Sequence, residues 1–175
     1  MRALIASFAL VLAACGQTSA PPEPAAADAT TGSVAAEPAG EAMSAGLLGG
    51  MTDGMPDDIA GVSPAATQLV FSNSAGEESV TTTEFLGVVP ASTLIAAGGE
   101  SFAAAARNDV VTRAEVRRIT GAAPAGLCGG GATYVALVSS EPLTGLFLIA
   151  FTGADAPGPE ARDSAVCAVN AYAVD

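Results

Sequence analysis

The chain has 175 residues, enough for one domain of ordinary size and not for two. It contains no His and no Lys, which excludes Ser-His-Asp and Cys-His catalysis, His-ligated zinc, and Schiff-base or Walker-type lysine chemistry. Its formal charge of −12 disfavours nucleic acid and anionic lipid surfaces as partners and would suit a basic protein partner.

Half the residues are apolar, but much of that share is Ala, which buries little area. The large apolar side chains lie almost entirely after residue 68, so the core is expected there. Met1 and Arg2 give a minimal positive start, and Ala3 to Ala14 is an apolar run of signal-peptide length, too short to span a bilayer as a mature helix. It closes on Leu12-Ala13-Ala14-Cys15. This stretch resembles the lipobox of bacterial lipoproteins. The resemblance implies cleavage after Ala14, lipid on Cys15 and a bacterial cell-envelope location. Each buried acyl methylene contributes about 0.8 kcal/mol, so several chains anchor far more firmly than one. Gly16, rather than Asp, follows the cysteine. By the sorting rule of that class, this favours the outer membrane, on its periplasmic face or surface, over the inner membrane.

From residue 15 to 63 the chain is rich in Ala, Pro, Gly, Ser, Thr and acid. Pro21-Pro22-Glu23-Pro24 favours an extended backbone, and too few large apolar side chains are present to offset ordering entropy. The expectation is a disordered acidic tether with a mean reach of about 40 Å. Leu47-Leu48 and Met51 to Met55 are an exception that could dock on the domain. Asp53, Asp57 and Asp58 lack the ligand spacing of a calcium loop and read as solvated charge. No metal and no cofactor is expected.

The domain is expected over residues 64–175. Residues 67–85 read as a hairpin around Asn73-Ser74-Ala75-Gly76, and the apolar run Phe85 to Val89 continues to Pro90. Phe102 to Arg107 is the best helical stretch, with Ser101 as its N-cap and Asn108 at its end. Residues 110–120 admit two readings. As a helix, Thr112 and Glu115 form a capping box and Gly121 ends it; as a strand, Val111, Arg113, Glu115, Arg117 and Ile119 share one face and Val110, Thr112, Ala114 and Val116 the other. The β-branched content favours the strand. Residues 133–139, 146–152 and 166–174 read as strands, the first two apolar on both faces. Tyr134, Val135, Leu137, Phe147, Leu148, Ile149, Phe151, Val169 and Tyr172 should form the core.

With Cys15 assigned to the leader, Cys128 and Cys167 remain as a pair in a chain that reads as exported, so a disulfide is expected between them. The fold class expected is therefore α+β, mainly antiparallel β, with five or six strands, one short helix and one disulfide. Gly129-Gly130-Gly131 leads into a strand and reads as a flexible turn rather than a phosphate cradle. Asp155, Glu160 and Asp163 share one Pro/Gly-rich loop without the firm scaffold that paired catalytic carboxyls require. Arg117-Arg118 is the densest positive spot, a candidate contact for an anionic ligand or partner, with ion pairing to the abundant carboxylates as the plainer account.

These readings converge on a lipid-anchored envelope protein with a non-enzymatic binding or structural domain. Two alternatives stand beside it. Small acidic lipoproteins that inhibit lysozyme are similar in build, and Gly131-Ala132-Thr133-Tyr134 resembles their small-residue loop leading to an aromatic, without the Ser of that motif. The other alternative is a small hydrolase working with carboxylates or Ser/Thr.

Overall fold

The computed structural model describes residues 40–174. The expected signal peptide 1–14, the expected lipidation site Cys15 and the first part of the expected tether lie outside the described residues.

The described chain is a closed barrel of eight antiparallel strands, each paired with its sequence neighbour and the last with the first. The strands are β1 (Leu48–Gly50), β2 (Gly61–Ala65), β3 (Gln68–Ser72), β4 (Glu78–Pro90), β5 (Arg113–Ile119), β6 (Tyr134–Ser139), β7 (Gly145–Thr152) and β8 (Ala165–Val174). Leu48 opposite Val174 and Gly50 opposite Tyr172 close the circle. This corrects the expected α+β fold of five or six strands. The helical content is one short helix, α1 (Phe102–Ala106), with single 3-10 turns at Asp57–Ile59 and Cys128–Gly130.

The strands differ from the expectation in two places. β1 and most of β2 fall before residue 64, in the stretch read as tether. Each sends few large side chains inward, chiefly Leu48 and Val62, and is held by ladder hydrogen bonds to its neighbours. The domain therefore begins ahead of the expected boundary. β4 is a single strand of 13 residues rather than a hairpin arm and a separate run, bent at a bulge between Phe85 and Gly87 that keeps its pairing with β5.

Alternation along each strand builds two cores. Leu48, Val62, Leu69, Phe71, Val135, Leu137, Leu146, Leu148 and Tyr172 fill the barrel, with Ile59 and Leu127 entering from the loops at one end. On the outside, the β4–β5 connection folds back over β5, β6 and β7. Phe102 and Ala106 of α1, with Ala91, Ile95 and Val111, cover Ala114, Val116, Ala136, Val138, Ile149 and Phe151. β6 and β7 are thus covered on both faces, which is why they read as continuous apolar runs. Of the expected core, Tyr134, Val135, Leu137, Leu148, Ile149, Phe151 and Tyr172 are buried, and Phe147 and Val169 are half-buried against the outer layer.

α1 forms where its sequence allows. Ser101 Oγ accepts the Ala104 N–H at 3.2 Å, and Arg107 ends the helix in a left-handed conformation with φ 51°. Residues 113–119 adopt the strand alternative, paired with both β4 and β6.

Candidate functional site

The topology places four features at one mouth of the barrel: the entering segment 41–45, the β2–β3 turn, the β4–β5 connection and the β6–β7 loop. β5 delivers two charges beneath them. Its alternation sends Ala114 and Val116 outward under α1 and Glu115 and Arg117 inward. Both inward side chains are fully buried, at 0% exposure.

Arg117 is satisfied on all sides. Its Nε donates to Glu115 Oε1, its Nη1 to the Ala65 carbonyl with Gln68 O and Thr83 Oγ1 each 3.4 Å away, and its Nη2 to the Met43 carbonyl at 3.0 Å. Glu115 Oε2 accepts the Met43 N–H at 2.6 Å. The acid and base on one strand face thus grip the N–H and the C=O of a single residue. Segment 41–45 crosses the mouth as a strap outside the sheet, with the Ala45 N–H on the Pro64 carbonyl at 3.0 Å and the Met43 side chain against the interior core.

Arg117 was a candidate contact for an anion or partner, with ion pairing as the plainer account, and it is ion-paired with Glu115. The contact reading is corrected: Arg117 is an interior side chain with no face to solvent. Arg118 points the other way, half-exposed, with Nη1 3.0 Å from Glu84 Oε2 and its guanidinium 5.9 Å from the Tyr134 ring centroid. The strand pleat separates the two neighbours, so they make no joint anion site. Arg113 pairs at the surface with Glu141 at 2.8 Å.

The loop carboxylates are engaged with backbone. Asp57 accepts the Ser74 N–H at 3.1 Å, and the hydrogen bonds from Ser74 hold its carboxyl below the ordinary value. Asp58 Oδ2 accepts the Gly126 N–H at 2.9 Å. Asp155 Oδ2 accepts the N–H groups of Arg162 and Asp163, each at 2.9 Å, which with the nearby Arg162 charge lowers its carboxyl. Asp163 Oδ2 accepts the Ala154 N–H at 3.0 Å. Asp57 and Asp58 tie their loop to two neighbouring loops, Asp155 and Asp163 tie their own, and no group of three His, Cys, Asp or Glu able to hold a metal occurs among the described residues.

Cys128 and Cys167 form the disulfide, with Cα atoms 5.6 Å apart, at the end opposite the strap. It pins the exposed loop Gly129–Gly131 to the start of β8. Tyr134, the aromatic that follows that loop, is buried, and its hydroxyl donates to the Ala154 carbonyl at 3.0 Å. On the outer wall, Phe147, Val166, Val169 and Ala171 form a shallow groove against Ala104 and Ala105 of the α1 layer. It runs on toward the exposed side chains of Met51 and Val110.

The barrel is not patterned to cross a bilayer. β1, β2 and β3 have three to five residues, against the roughly nine to eleven of a membrane-spanning strand, and the outward apolar side chains of β5, β6 and β7 are covered by the α1 layer. No helix among the described residues is long and apolar enough to span one either.

Fold and site together define a side-chain-filled, up-and-down antiparallel barrel with a strapped mouth. Comparison with known proteins finds no matching family model, no similar curated protein and no similar solved structure.

The sequence left residues 110–120 between helix and strand, favouring the strand and its charged face, and did not give the direction of that face. The alternation Arg113-x-Glu115-x-Arg117 between apolar neighbours was the available signal. Met43, in the expected tether, carried none.

Proposed function

We propose that this chain is a lipid-anchored cell-envelope protein, held by lipid on Cys15, whose barrel is a non-enzymatic binding or structural module. The observation that carries the second half is the filled interior: core side chains occupy the space in which a barrel would hold a small ligand, and the buried Glu115–Arg117 pair is spent on the chain's own backbone. Contact with other molecules then falls to the outer wall and the two ends of the barrel. The lipobox resemblance of Leu12-Ala13-Ala14-Cys15 supports the first half. Cys15→Ser in the full chain should move the protein from the membrane fraction to the soluble fraction. Retention on membranes would show that the lipobox reading is wrong.

A second reading, inhibition of a basic enzyme such as lysozyme, draws on the acidic balance and on the exposed Gly129–Gly131 loop beside the disulfide. The burial of Tyr134 leaves that loop without an aromatic to present. Lysozyme activity unaffected by an excess of the protein at low salt would end this reading.

A further inference from the structure

We propose that the strapped mouth of the barrel is a peptide-binding site, occupied in cis by residues 41–45 and able to take an extended peptide with an unbranched apolar side chain in trans.

The geometry is that of recognition rather than of sheet continuation. In an extended residue the N–H and C=O point to the same side of the chain, and a neighbouring strand normally meets them with its own backbone. Here they are met by a carboxylate and a guanidinium: Glu115 Oε2 takes the Met43 N–H and Arg117 Nη2 gives to the Met43 carbonyl. A buried ion pair is a poor source of stability, because desolvation offsets most of its attraction. This one is fully buried, and the strap lies directly on it. With the strap lifted, one acceptor and one donor lose their partners, at the spacing of a single residue's backbone. Such a pair demands a peptide group and discriminates little by sequence. The side chain adds selectivity, since Met43 packs against the interior core beside the pair.

The strap is built to leave. Its backbone has one described bond to the barrel backbone, Ala45 N–H to Pro64 O, outside any ladder. Behind it lie Gly46, whose surroundings are open space, and exposed Leu47. This hinge precedes β1, so the strap can swing away without breaking a strand pair.

Two measurements on the full chain test it. First, in amide hydrogen exchange, the Met43 N–H should exchange by local opening, at least tenfold faster than the β6 and β7 amides of Leu137 and Leu148. Exchange of all three at one common rate would mean that the strap opens only on global unfolding, and would overturn the proposal. Second, the folded chain carrying a protease site at Gly46–Leu47 is cut and mixed with a labelled synthetic peptide of residues 40–46. Saturable binding is expected, weakened tenfold or more when the peptide carries Met43→Pro, which removes the N–H that Glu115 accepts. No binding to a cut chain that keeps its folded spectrum, or equal binding of the proline peptide, would overturn it. Met43→Pro in the uncut chain should free the strap while the barrel stays folded. If that variant keeps segment 41–45 as protected as before, the grip is not the one described.

Discussion

Tyr172 shows how single polar atoms hold the filled interior. Its ring is buried among the inward aliphatic side chains, and its hydroxyl donates to the Ile59 carbonyl at 3.0 Å, tying β8 to the 3-10 turn at the far end. Burial, with a smaller contribution from the Asp58 charge, raises the phenol well above its ordinary value of 10.0. The folded state therefore holds the neutral form. Below pH 10 the folded and unfolded chains are both neutral at this group, and its contribution is fully present. Above pH 10 the unfolded chain ionises first, so stability should fall as pH rises from there through the folded value. Tyr172→Phe removes the donor and leaves the Ile59 carbonyl unpaired, at a cost of about 1–2 kcal/mol near neutral pH. It should also flatten the alkaline decline. Urea midpoints of both proteins at pH 7 and pH 10.5 check the two effects together, and a decline of equal steepness in the variant would assign it to other groups. Arg117 belongs to the same scale. Its charge was visible in the sequence, but its direction was not, because a strand's alternation fixes which residues share a face without saying which face is inside.

At the scale of elements, α1 is the dependent one. Five residues are too few to hold a helix in water, whatever their propensity. Its anchor is Phe102, fully buried, with its ring edge-on to Phe151 at a centroid distance of 6.2 Å. Phe102→Ala should cost about 3–5 kcal/mol, release α1 from the outer faces of β5–β7 and leave the strand pairs intact. A lowered denaturation midpoint, with amide protection lost over residues 102–106 and kept in β6, would match. Loss of β6 protection as well would show that the outer layer and the barrel are one cooperative unit. How far each element could be read from the sequence follows the same energetics. β6, β7 and β8 were legible to within about a residue, the first two because strands covered on two faces are apolar throughout. α1 was legible through Ser101 and its alanines. β1 was not, since a three-residue strand held by pairing writes almost nothing into hydropathy. The site suffered most: half of it is a backbone segment, whose N–H and C=O are the same in every residue but proline.

For the whole molecule, the question is what keeps eight strands in one closed circle. Seven of the pairings join sequence neighbours and close short or moderate loops. The eighth joins β1 to β8 across almost the entire domain, through a strand of three residues, with Leu48 as its buried side chain. The disulfide does not cross that seam. Cys128 and Cys167, 39 residues apart, enclose β6, β7 and the start of β8, a set of neighbours already joined by their own ladders. The bond therefore acts on the unfolded chain, restricting a loop of that length, and the chain-entropy model puts its effect at about 4 kcal/mol. For a domain whose net stability is of order 5–15 kcal/mol, that is a large share. Reduction should leave the folded barrel and its seam in place while lowering the denaturant midpoint by a corresponding amount, and the double variant Cys128→Ser, Cys167→Ser should behave the same way. The folded baseline is the discriminating observation. If reduction alters the folded spectrum or the protection of β1 before any denaturant is added, the bond is holding native geometry at the barrel end rather than limiting the unfolded ensemble. An unchanged midpoint would remove the entropic account altogether.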